Sequence, residues 1–215
     1  MCGRFSLADL SALKRVFKIN LPEGVTSRYN IAPSQNILAI INDKGYRAVN
    51  FRWGLIPFWA KDIIPGIINA RAETIDKKPS FKHSFKNKRC LIPADGFYEW
   101  KGKAGSKRPY RIALKNRSVF TFAGLWDRWR SPKGETINSC VIITTSANTL
   151  LEPIHNRMPV ILSEKAEEAW LNEDTDILTL KGLLNPYSAE LMESYEISTM
   201  VNDYQKDIPE ILEPV

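Results

Sequence analysis

Cys2 is the residue with the most chemistry to offer. Small residues at position 2 generally permit removal of the initiator methionine, so Met1-Cys2-Gly3-Arg4-Phe5 can mature to a cysteine with a free α-amine. One residue then holds two nucleophiles. An α-amine has a pKa of about 7.7 to 8.0, so roughly a quarter is neutral near pH 7.4, against about 0.1% of a lysine side chain at about 10.4. The amine is therefore the better imine former toward an aldehyde. Once the imine exists, the neighbouring thiol closes a five-membered thiazolidine on the same carbon, an intramolecular step with a high effective concentration. A serine does this poorly. Position alone leaves a second reading open, in which a cysteine after methionine is incidental.

Three further segments hold polar groups suited to proton transfer or to orienting a nucleophile. His155 lies in Pro153-Ile154-His155-Asn156-Arg157-Met158-Pro159, a polar interruption between two apolar runs, and imidazole exchanges protons near neutral pH. The other histidine, His83, falls in a lysine-rich stretch where surface exposure is expected. Glu99, between Tyr98 and Trp100, either faces outward from a strand or points into an aromatic-walled site where burial raises its pKa. Asn69 and Arg71 in Ile68-Asn69-Ala70-Arg71-Ala72-Glu73-Thr74 can orient a polar group and hold a phosphate. Cys2, Cys90 and Cys140 have no short metal-binding spacing, and an odd count is a poor disulfide framework, so reduced thiols are expected. The chain lacks a phosphate-cradling Gly-rich loop, a dinucleotide fingerprint, Cys-x-x-Cys and His-Glu-x-x-His, and no metal or nucleotide cofactor is expected.

The elements that must position these residues are mostly strands. Ser6-Leu7-Ala8-Asp9 reads as a capped start, with Leu10, Leu13, Val16 and Phe17 at helical spacing, predicting a helix over about residues 7–18. Residues 36–42 and 46–53 flank Asp43-Lys44-Gly45 and predict a β-hairpin. Further strands are expected over 89–93, 97–100, 110–114, 119–126, 139–145, 159–162 and 195–199. Ser163 caps an acidic start leading to Ala169, Trp170 and Leu171, and residues 175–184 form a second amphipathic candidate. The segments 101–109 and 130–136 carry Gly, Ser, Pro and Lys and read as hairpin connections. The expected class is α+β, with a sheet-rich core and peripheral helices.

With 215 residues, 44% of them hydrophobic and 25% charged, the chain can bury a sizeable core without disulfide or metal staples. No apolar run reaches the roughly 18 to 20 residues of a membrane span, and the N-terminus lacks the layout of a secretion signal, so a cytoplasmic protein is expected. The net charge of +6 conceals an uneven distribution: residues 1–76 balance at +4, residues 77–130 at +12 and residues 131–215 at −10. A basic stretch interleaved with Phe, Tyr and Trp suits phosphate contacts and base stacking, and equally suits a solvated face.

Taken together, the segments resemble the SRAP (SOS-response-associated peptidase) family over almost the whole chain. Its blocks occur in order as Met1-Cys2-Gly3-Arg4-Phe5, Tyr29-Asn30-Ile31-Ala32-Pro33-Ser34-Gln35, Trp53-Gly54-Leu55-Ile56-Pro57-Phe58-Trp59-Ala60, Asn69-Ala70-Arg71-Ala72-Glu73-Thr74, Pro93-Ala94-Asp95-Gly96-Phe97-Tyr98-Glu99-Trp100, Phe122-Ala123-Gly124-Leu125-Trp126 and His155-Asn156-Arg157-Met158-Pro159. The resemblance implies a single α+β domain over residues 1–215, with a β-rich barrel-like core, peripheral helices and a basic groove for single-stranded DNA. It implies that Cys2, freed of Met1, bonds covalently to the ring-opened sugar of an abasic site and closes a thiazolidine. In that family reading Asn69 positions the Cys2 amine, Glu99 handles protons during imine formation, and His155 protonates the sugar ring oxygen. Arg4, Arg71 and Arg157 hold phosphates, Pro33 and Trp59 stack on or wedge bases, and Thr144 adds a backbone or phosphate contact. The implied protein is a monomer that needs no cofactor, binds no membrane and associates with the nucleoid when on DNA.

Two other functions use the same residues. In an N-terminal-nucleophile peptidase, the Cys2 thiol would attack an acyl carbon, with its own amine as base. Acyl transfer also wants an oxyanion hole, for which Asn69 is the one candidate. In a non-covalent single-strand-binding module Cys2 is incidental and the basic segment does the binding.

Overall fold

The computed structural model describes residues 2–62, 66–103 and 105–215. Met1, residues 63–65 and Ala104, which falls in the predicted 101–109 connection, lie outside them. Phe5, Ser6 and Leu7 are all buried and form β1 (Phe5–Leu7), so the predicted helix starts later than its sequence suggests. The reason is a competing partner: Ser6 Oγ donates to Asp95 Oδ1 at 2.5 Å, and Asp95 Oδ2 accepts from the Ala8 amide. Asp9 is the cap, accepting from Ala12 N at 2.9 Å, and α1 (Leu10–Phe17) follows.

β2 (Arg28–Ile31), not predicted, pairs antiparallel with β1. The hairpin β3 (Asn36–Asn42) and β4 (Tyr46–Trp53) has the predicted bounds, with Lys44 and Gly45 both at positive φ in its turn. β5 (Asn69–Arg71) runs through a short 3-10 turn toward α2 (Pro79–Asn87). α2 was not anticipated, because it buries only Phe81, Ser84 and Phe85, too little apolar surface to show helical periodicity.

The remaining strands are β6 (Arg89–Ala94), β7 (Gly96–Lys101), β8 (Arg108–Leu114), β9 (Phe120–Arg130), β10 (Thr136–Ser146), β11 (Arg157–Pro159) and β12 (Ile161–Leu162). The helix predicted after Ser163 is α3 (Glu164–Leu171), with Ser163 as its cap, and α4 (Ile177–Gly182) starts at the Asp176 cap. β13 (Met192–Glu196) lies three residues before the predicted 195–199, because Ser198 caps a 3-10 turn there instead.

Two sheets build the α+β fold. β10, β4, β3, β6 and β9 are hydrogen-bonded in succession, and β9 pairs back to β10, closing a five-stranded barrel. β5 and β11 extend it from β10, and β12 from β9. A second, five-stranded sheet runs in the order β13, β8, β7, β1, β2. Phe5 links the two, meeting Trp53 at 5.2 Å and Phe122 at 5.8 Å edge-on. Burying each such aromatic stabilises the fold by about 1.5 to 3 kcal/mol. α3 seals one flank, its buried Trp170 donating to Cys90 O at 3.1 Å. All three cysteines are free and buried. Among the described residues no helix is long and apolar enough to cross a membrane.

Candidate active site

Strand register fixes the N-terminal arm. Phe5 opposes Phe97 and Ser6 opposes Gly96 in the antiparallel β1/β7 pair, and the pairing continues past β1, where Tyr98 N donates to Arg4 O at 3.0 Å. Continued at that register, residues 2–4 run beside the second half of β7, with Gly3 across from Glu99 and Cys2 one residue further on, close enough to feel the Glu99 carboxylate. β5 supplies the other contact: Asn69 opposes Ile142 on β10, and its Nδ2 donates to Cys2 O at 2.9 Å. Asn69 thus grips the carbonyl of the residue carrying both nucleophilic groups. Its Oδ1 accepts no hydrogen bond among the described residues.

Electrostatics ties the rest together. Cys2 is 0% exposed, and burial pushes its thiol well above the ordinary range, with the Glu99 carboxylate adding to the effect. The sulfur is thereby held as a neutral thiol. Glu99 is 3% exposed; burial raises its carboxyl pKa, opposed in part by the charge of His155. His155 lies between β10 and β11, where Arg157 N donates to its Nδ1 at 2.9 Å. The same nitrogen lies 3.2 Å from Arg157 O, so the Arg157 backbone anchors the ring from both its amide and its carbonyl. Cys2 is joined to Asn69 by that hydrogen bond, and Glu99 lies within electrostatic reach of both Cys2 and His155.

The predicted DNA contacts divide by environment. Arg71 is exposed and shares the β5 face with Asn69, two residues on. Trp59 is 52% exposed and Pro33 is half-buried. Arg4 is committed internally: Nη1 donates to Asn30 Oδ1 at 2.8 Å and to Val201 O at 2.6 Å, and the guanidinium sits 6.0 Å from the Trp100 ring. Thr144 is fully buried, its carbonyl accepting from Arg157 Nη2 at 2.6 Å. Arg157 also pairs through both its amino groups with Glu73, whose carboxyl is lowered chiefly by that bond.

Sequence reasoning passed over Glu73, Asn30 and Trp100 as individual site residues, although each sits inside a quoted block. For Glu73 a signal existed in its place two residues after Arg71. Among the described residues no group of three or more His, Cys, Asp or Glu side chains could hold a metal ion.

The sequence profile of the family described as SOS response associated peptidase (SRAP) matches residues 1–204. This chain belongs to the SRAP family. Among its SRAP relatives, Abasic site processing protein YoqW of Bacillus subtilis (strain 168) is 50% identical, over 99% of each chain. Abasic site processing protein HMCES of Gallus gallus is 34% identical over 78% of this chain and 57% of its own. The SRAP fold is also that of a solved protein from Bacteroides thetaiotaomicron, which superimposes with a TM-score of 0.89 at 31% identity and covers 100% of both chains.

Proposed function

We propose that this protein processes abasic sites in single-stranded DNA by crosslinking to them through Cys2, after Met1 has been removed. The observation that carries this reading is the Asn69 Nδ2 to Cys2 O hydrogen bond of 2.9 Å, which fixes Cys2 beside Glu99. The names of YoqW and HMCES supply the substrate class.

The steps follow from the side chains. His155 donates a proton to the ring oxygen of the abasic deoxyribose, the ring C–O bond breaks, and the hydroxyl on the same carbon loses its proton to become the aldehyde. The Cys2 amine adds to that carbon, and Glu99, whose carboxyl pKa is raised by burial, donates to the departing oxygen as water leaves and the imine forms. The Cys2 sulfur then bonds the imine carbon while its proton passes to the imine nitrogen, leaving a secondary amine inside a thiazolidine. One water is released and no oxidant or cofactor is consumed. A thiol held neutral by burial does not compete in the first addition, which orders the two nucleophiles: nitrogen first, sulfur second. Arg71 holds a flanking phosphate and Trp59 and Pro33 stack beside the lesion, while Arg4, Arg157 and Thr144 brace the surrounding elements through their internal hydrogen bonds. The whole of residues 1–215 acts as one unit.

Intact-mass measurement of the purified protein, with and without an abasic oligonucleotide, tests the proposal. The expected mass lacks Met1 and gains one oligonucleotide less one water. Cys2→Ser forms an imine that reverses on dilution, and Cys2→Ala forms no adduct. A heat-stable adduct with Cys2→Ala, or a mature protein that keeps Met1, refutes it.

A further inference from the structure

α2 carries a charge pattern that its own stability does not explain. Lys78, Lys82 and Lys86 recur every fourth residue and so line one helix face, where like charges repel and weaken the helix. All three are exposed, as is Lys77, and among the described residues none of the four makes an ion pair. Carboxylates on flanking elements are already engaged: Asp76 by Lys181 at 2.8 Å, Asp127 by Lys88 at 2.6 Å and Glu73 by Arg157.

An aromatic platform adjoins this face. Phe58 is 52% exposed, yet its ring is held: it packs on His83 of α2 with centroids 5.4 Å apart and has Lys88 Nζ 6.0 Å from its centroid. Its amide donates to Asp127 Oδ2 at 2.8 Å, and Ala60 O accepts from Trp129 Nε1 at 2.7 Å. The base of the loop is equally fixed, since Leu55 bridges Ile67 and the backbones of Gly54 and Gly66 touch; a Cβ built on Gly66 would lie 2.0 Å from Gly54 O. An exposed ring anchored this firmly loses little freedom when a base stacks on it. Both parts of the patch spring from β5, the strand that presents Asn69: the loop returns to it at Ile67, and residues 72–78 lead from it into α2.

We propose that Phe58, His83 and the Lys78, Lys82, Lys86 face form a second contact track for single-stranded DNA, holding a base and the phosphates that lie beyond the lesion nucleotide. This rests on the function proposed above and adds a site to it. Bare phosphates complement the lysines, and the ring pair calls for an unpaired base, which a single strand offers and a duplex does not.

The test compares abasic oligonucleotides of about 3 and about 15 nucleotides, using the triple variant Lys78→Gln/Lys82→Gln/Lys86→Gln; glutamine has nearly the helix propensity of lysine. For the long oligonucleotide, the slope of log affinity against log salt falls in magnitude by about 2, from three phosphates at roughly 0.7 each, while adduct formation with the short one stays within about twofold. Phe58→Ala, with the lysines intact, weakens binding of the long oligonucleotide by about tenfold. Unchanged affinity and slope for the long oligonucleotide in both variants overturns the track. Equal losses on the short oligonucleotide also overturn it, since the residues would then serve the lesion itself. If wild type forms no adduct with either substrate and the slope still falls in the variant, the Cys2 chemistry fails and the track stands.

Discussion

Glu99→Gln should separate catalysis from stability in opposite directions. In the folded protein Glu99 is 3% exposed, and burial raises its carboxyl pKa above the usual carboxylate value of about 4.3. Between the unfolded and the raised folded pKa, the native state binds more protons than the unfolded state. Stability therefore falls as pH rises through that window and stays lower above it. Glutamine has nearly the same shape and cannot ionise, so the variant should lose this pH dependence and melt at or above the wild-type temperature at pH 8. Proton transfer by a positioned acid is worth about 100-fold to 10,000-fold in rate, and the same substitution removes it. The assay is single-turnover adduct formation on denaturing gels from pH 5 to pH 9, paired with thermal melting over the same range. An adduct rate within about threefold of wild type would refute Glu99 as the proton carrier. A melting temperature that drops along with the rate would make Glu99 a packing residue instead.

Three further outcomes are expected. Asn69→Ala removes one hydrogen bond to Cys2 O, worth about 1 kcal/mol, and should slow adduct formation about fivefold with little change in oligonucleotide affinity, read by a kinetic and a binding titration in parallel. Arg71→Ala should weaken binding of any single-stranded oligonucleotide and lower the salt slope by about 0.7, measured by fluorescence anisotropy across salt concentrations. Asp95 accepts from Ser6 Oγ and Arg111 Nη2 and receives the amide of Ala8. Asp95→Ala leaves the buried Arg111 charge without its carboxylate and should cost about 3 to 5 kcal/mol in urea unfolding.

Local patterns wrote much of this fold into the sequence. The hairpin of β3 and β4 was legible because apolar or alternating runs flank Asp43-Lys44-Gly45, and the Ser163 cap marked α3 because it is a short-range bond, while α4 showed only as an amphipathic stretch over 175–184 whose Asp176 cap the structure adds. β1 was misread because Ser6 has two uses, and the one that prevails depends on Asp95, 89 residues away. α2 was invisible because its lysines dilute the apolar period. The site divides the same way. Cys2 and His155 suggested chemistry by type alone, whereas the bond from Asn69 to Cys2 spans 67 residues through β5, a strand too short to signal itself. Only the ordered sequence blocks pointed to that association beforehand.

The clamp on Arg4 has a consequence for biosynthesis. Val201 O holds the Arg4 guanidinium across 197 residues, Asn30 Nδ2 reaches Asp203 O at 2.9 Å and Lys206 O at 2.7 Å, and Asp207 closes on the amides of Tyr29 and Asn30. A ribosome makes these anchors long after the arm they secure, and nascent chains fold in order of emergence. The Arg4 and Asn30 clamps are therefore the last of these contacts to form, closing on the N-terminal arm only once residues 201–207 have been made.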